Sequence, residues 1–248
     1  WLFKNGRPFA LQAIALTIGT DTFGYTNFTK SVTDNHYEWV YTVWSEAQGR
    51  YVRVSQPTPG ARRAYLITST TVLTLTEGQT VFGDKTFSIN KFSYTYDIFN
   101  ADAPGDGRNG KQFWGVVGVR GLETTPEDDN AFIGLVADAY FGGDHQKALD
   151  FLTRLMNQLS DKFGTDVFEQ GGTYSFSQDL FGGYSLTFNY TPAGKWLFKN
   201  GKPFSIQTIG LTVGTDNSGL TSNSFTKAIT DYHYDFITDQ TGRKIWAL

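Results

Sequence analysis

The sequence predicts an α+β fold, a twisted and mostly antiparallel β-sheet with two helices packed on one face, containing a partial tandem repeat. Three observations predict it. Most of the chain alternates apolar and polar residues with a period of two, in stretches rich in Thr, Tyr, Phe and Val and punctuated by glycine. One region has helical spacing over several turns. The two ends of the chain are copies of each other.

The copy is plain by alignment. Residues 1–20 read WLFKNGRPFALQAIALTIGT and residues 196–215 read WLFKNGKPFSIQTIGLTVGT, with fourteen of twenty positions identical at an offset of 195. The match continues from Asn27 (NFTKSVTDNHYEWV) against Ser224 (SFTKAITDYHYDFI), and QGR at Gln48 meets TGR at Thr241. Residues 196–248 thus repeat residues 1–53. The expected organisation is an α+β unit over 1–172 and a β-rich partial second copy over 173–248.

Taken in order, each copy opens with Trp-Leu-Phe-Lys, then Asn5-Gly6 or Asn200-Gly201, then a Pro-Phe-led apolar run. Asn-Gly suits a type I′ hairpin because both central residues need positive φ. Pro8 and Pro203 suggest an edge, where no N–H is required. Further strands are expected over 37–44, 65–75, 86–98, 112–119 and 174–190. Ala148, Leu149, Leu152, Leu155, Met156 and Leu159 recur at spacings of three and four, with Asp144 as N-cap and Gly164 as C-cap. A shorter helix is expected over 129–140, capped by Asp128 and Asp129.

Composition excludes several functions. Aromatics reach 16% and charged residues only 18%, which is incompatible with intrinsic disorder. A net charge of −3 without basic runs gives no nucleic-acid footprint. No apolar run is long enough for a spanning helix. There is no cysteine, which removes disulfides, thiolate zinc sites and a catalytic thiol. It also fits proteins exported from bacteria, where a stray thiol is a liability. The chain opens at Trp1 rather than Met, as a mature product or an excised piece would.

Candidate sites follow from side-chain chemistry. Asp34, His36 and Glu38, and their counterparts Asp231, His233 and Asp235, form an acid–His–acid row that could hold a metal or poise a base, or simply lie on a solvated strand face. Asp102, Asp106 and Asn109 in a Gly-rich turn are the candidate calcium ligands, although the EF-hand pattern is absent. Trp39, Tyr41 and Trp44 put aromatics on both faces of one strand, a candidate platform for a flat ligand. Trp196, Phe198, Phe204, Ile206, Ile209 and Leu211, in the second copy, are the candidate assembly residues. No nucleophile elbow, P-loop, dinucleotide fingerprint or His-Glu-x-x-His occurs, so no enzyme activity is expected.

The middle of the chain resembles a known family. Residues 73–93 (LTLTEGQTVFGDKTFSINKFS), 113–122 (FWGVVGVRGL) and 142–164 (GGDHQKALDFLTRLMNQLSDKFG) resemble, in order, the bacterial secreted haem carriers of the HasA-type hemophore family. Residues 175–190 (SFSQDLFGGYSLTFNY) resemble that family's opening strand, here placed after the helix. The resemblance implies an acidic, cysteine-free α+β fold exported by type I secretion, arranged as a tandem array. It also implies a haem iron held by a Tyr backed by a His. Leu73 stands at the matching Tyr position and Gln79 at the His, and neither is a useful iron ligand. No haem-binding residue is therefore carried over, and no cofactor is expected, with calcium the one candidate ion.

The functional expectation is a non-enzymatic extracellular or cell-surface repeat protein. Its role would be structural or adhesive, and it would assemble with copies of itself by strand addition into a filament or surface matrix. The alternatives are a secreted carrier of haem or another flat ligand, and a carbohydrate-binding module.

Overall fold

The computed structural model describes residues 1–248 apart from 5, 101–110, 180–181, 200, 216–222, 239–243 and 248. The first copy contributes β1 (Leu2–Lys4), β2 (Arg7–Phe9), β3 (Gln12–Thr20), β4 (Thr26–Ser45) and β5 (Arg50–Val54). Then come β6 (Arg62–Gln79), β7 (Lys85–Asn100), β8 (Gln112–Gly121), α1 (Pro126–Tyr140) and α2 (His145–Phe163). After a single 3₁₀ turn follow β9 (Thr173–Gln178) and β10 (Tyr184–Tyr190). The second copy supplies β11 (Trp196–Lys199), β12 (Lys202–Ser205), β13 (Gln207–Thr215), β14 (Ser224–Asp231), β15 (Asp235–Thr238) and β16 (Lys244–Ala247). The fold class is the expected one, mostly antiparallel sheet with two helices.

One antiparallel sheet carries the molecule, in the order β14-β13-β10-β9-β7-β6-β4-β3, with β5 paired to β4 and β8 to β7. It runs without a break across position 172, because β9 hydrogen-bonds to β7 from Lys85↔Gln178 to Asn90↔Thr173. The strands are longer than the alternation alone implied. β4 starts at Thr26 rather than residue 37 because its outer half is paired on both sides, to β3 and to β6. The stretch over 174–190 is two strands, since Asp179 accepts from the Gly183 N–H (2.8 Å) and closes a turn between them.

The period-two pattern sorts the sheet into two unlike faces. One crosses the sheet as Ile18-Phe28-Glu77-Phe87-Phe176-Leu186-Val213-Phe225, all in register. The other carries a row of small hydroxyl residues. Thr17, Thr29, Thr76, Ser88, Ser175, Thr187, Thr212 and Thr226 lie side by side on all eight strands. Neighbouring hydroxyls bond across strands, as in Thr187–Thr212 (2.8 Å) and Thr29–Thr76 (3.3 Å).

Both helices pack on the apolar face. α2 turns Ala148, Leu152, Leu155 and Leu159 inward, over Leu186, Phe188, Leu211 and Val213. Its caps are the expected ones: Asp144 accepts from the Lys147 N–H (3.1 Å), and Gly164 ends it at φ +92°. α1 begins earlier than expected. Thr125, not the Asp128-Asp129 pair, is the N-cap, and Asp128 closes a capping box by accepting from the Thr125 N–H (2.8 Å). Pro126 at the first helical position is pre-set for that start.

Candidate assembly edge

The two copies fold alike locally. Gln12 donates to Asp34 (2.8 Å), as Gln207 does to Asp231 (2.7 Å). The Asn35 N–H donates to the Leu11 carbonyl, as the Tyr232 N–H does to that of Ile206. Phe9 meets Tyr37 edge-on with ring centroids 5.2 Å apart, and Phe204 meets Tyr234 at the same separation. Sequence identity thus reproduces each hairpin and its buttress.

Their surroundings differ. β13 lies inside the sheet, paired to β14 on one side and on the other to β10, with Leu211↔Phe188 and Val213↔Leu186 opposed. Leu211 is 1% exposed and Val213 0%. β3, its twin, is an edge strand paired only to β4 among the described residues. Leu16 and Ile18, the counterparts of Leu211 and Val213, are 77% and 71% exposed. Together with Phe28, Leu75 and Leu135 they line a shallow apolar groove beside α1. β3 therefore presents a row of unpaired backbone groups flanked by uncovered aliphatic side chains, the arrangement that recruits another strand.

The opposite border differs in a complementary way. β14 repeats β4, but among the described residues it has no counterpart of β6 beside it. β4 continues past His36 and Tyr37 because β6 pairs with it through a bulge there. β14 stops at Asp231, just before the equivalent His233 and Tyr234. The leading hairpins differ too. Gly201 (φ +71°) approaches Gly115, and the Val116 N–H donates to its carbonyl (3.2 Å). Gly6 (φ +73°) has nothing within 4 Å of where a Cβ would sit.

The candidate assembly residues lie along this second copy: Trp196 and Phe198 on β11, Phe204 on β12, Ile206 between β12 and β13, and Ile209 and Leu211 on β13. Leu211 is enclosed by the core and Ile209 packs against it. The uncovered apolar strand is the first copy, β3. Burial cannot be read from either copy alone, because the two sequences are nearly the same.

The aromatic trio does not converge. Trp39 and Tyr41 share one face of β4, and Trp39 is capped by Arg63, 4.1 Å above its ring, and flanked by Tyr65. Trp44, three residues on, projects from the other face, 53% exposed and edge-on to Tyr51. His36 Nε2 lies 3.2 Å from Glu38, which also pairs with Arg53, while Asp34 is engaged by Gln12. Among the described residues no group of three or more His, Asp or Glu is arranged to hold a metal. Asp102, Asp106 and Asn109 lie outside the described residues. Leu73 packs against the core and Gln79 ends β6.

The Lys91–Asp128 pair ties the start of α1 to β7. Burial opposes charge on Asp128, but hydrogen bonds from Lys91 (2.8 Å) and Thr125 outweigh it and hold the carboxyl below its ordinary value. Burial raises Asp129, and burial raises the Tyr174 phenol strongly, with the nearby Asp129 adding to it. Among the described residues no helix is long and apolar enough to cross a membrane. No protein-family profile matches the chain, and no curated protein or solved structure matches it significantly.

Proposed function

We propose that this chain is a non-enzymatic structural or adhesive protein of the cell exterior, built from repeats, that assembles by β-strand addition into a filament or surface matrix. One observation carries the proposal. Two nearly identical strands have opposite fates, β13 enclosed and β3 left at an open edge with Leu16 and Ile18 in water. An aliphatic edge of this kind favours pairing with another chain. Among the described residues the β3 edge is not the same surface as the strand it would recruit, so contact through it is head-to-tail and need not close. The cysteine-free composition is in keeping with an oxidising exterior.

Sedimentation velocity over a wide concentration range, with negative-stain microscopy, tests this. Concentration-dependent multimers are expected, and the double substitution Leu16→Lys and Ile18→Lys should abolish them without lowering the melting temperature. A chain that stays monomeric at every concentration refutes the proposal.

A further inference from the structure

The structure contains a template for what β3 lacks. Its repeat twin β13 is completed by three contiguous pieces: strand β10 along its edge, β9 behind that strand, and α2 across its apolar face. All three precede the second copy directly in the chain. We propose that the occupant of the β3 edge is another copy of this same helix–hairpin element, chemically equivalent to residues 144–195, delivered immediately ahead of Trp1 or its equivalent. The inference rests on the proposal that β3 accepts a strand, and adds which strand and in what register.

The register follows from the offset of 195. β10 pairs Leu186↔Val213, Phe188↔Leu211 and Tyr190↔Ile209. On β3 the incoming Leu186, Phe188 and Tyr190 would lie opposite Ile18, Leu16 and Ile14, all three of them exposed aliphatics. The close approach at Gly214, where a Cβ would come within 2.7 Å of the Tyr184 carbonyl, falls on Gly19, which preserves the glycine. The helix has a seat as well. The end of α2 packs Phe163 against Phe225 (6.4 Å). The counterpart, Phe28, lines the apolar groove with Leu16 and Ile18 and is itself exposed. A full preceding copy would also supply a β8 for the leading hairpin, where Gly6 has open space and Gly201 has Gly115. Strand, helix and hairpin seat are thus missing together.

One position tunes the fit. At Gly210 an added Cβ would lie 2.8 Å from the Asn189 side-chain oxygen, and β3 has Ala15 there. The incoming Asn side chain, free at its far end, turns aside to make room for the Ala15 methyl.

The chain has no cysteine, so one introduced thiol reports cleanly. The test joins a copy of residues 1–195 ahead of the full chain, recreating the Lys195–Trp196 junction, and places Leu16→Cys in either the leading or the following copy. The following thiol should react with a disulfide reagent on the order of a hundredfold more slowly than the leading one, as a site reached only by local opening does. Equal reactivity at the two positions, while the single chain self-associates in sedimentation, overturns this inference and leaves strand addition standing. Equal reactivity with a single chain that never self-associates overturns both.

Discussion

Leu16 and Leu211 occupy the same position of two near-identical segments, ALTIGT and GLTVGT, so mutating each to alanine isolates the effect of surroundings. Leu211 is 1% exposed, opposite Phe188 and beneath α2. Truncating it removes transfer energy and leaves a cavity, a loss of roughly 2–5 kcal/mol. Leu16 is 77% exposed, so less than a quarter of it leaves water on folding. Full burial of a leucine is worth about 1.5–3 kcal/mol, so Leu16→Ala should cost about 0.5 kcal/mol or less. Urea unfolding at dilutions where the chain is monomeric measures both. With a slope of about 3 kcal/mol/M, Leu211→Ala should lower the midpoint by about 1 M and Leu16→Ala by almost nothing. At high concentration the Leu16 variant should instead lose self-association. Equal midpoint shifts in dilute solution would refute the unequal placement of the copies, and every inference about the edge with it.

Two further predictions use the same economy. Gly6→Ala and Gly201→Ala both place a side chain at positive φ, a strain of about 1 kcal/mol. Only the latter also drives a Cβ to 2.6 Å from the Phe99 ring and 3.3 Å from the Gly115 backbone, so thermal melts should rank Gly201→Ala clearly the worse. Asp128→Asn should destabilise the chain at neutral pH. Because the folded carboxyl is held below its unfolded value, its contribution is present above about pH 4 and fades as pH falls through the folded value. Melts from neutral to acid pH should therefore show the gap between variant and parent closing below about pH 4, and a gap that widens there contradicts the Lys91 and Thr125 contacts.

Much of the local structure was legible in the residues. The helical stripe from Ala148 to Leu159, with Asp144 and Gly164 at its ends, specifies α2 because its caps and its buried face are all local in sequence. The alternation that puts Thr17, Thr29 and Thr76 on one face and Leu16 and Leu75 on the other is likewise a property of the chain itself. The start of α1 was less legible, because Asp128 resembles a cap and serves instead as the third residue of a capping box led by Thr125.

What sequence could not assign is which copy is enclosed. β3 and β13 share residues, hairpins and buttressing hydrogen bonds, and differ in having or lacking β10 and α2 beside them. The end of a strand is decided in the same way, since β4 runs on through His36 where β6 pairs with it and β14 ends before His233 with no such neighbour among the described residues. A strand's hydrogen bonds and half of its burial come from residues distant in the chain, so periodicity sets its two faces and only tertiary structure sets its neighbours.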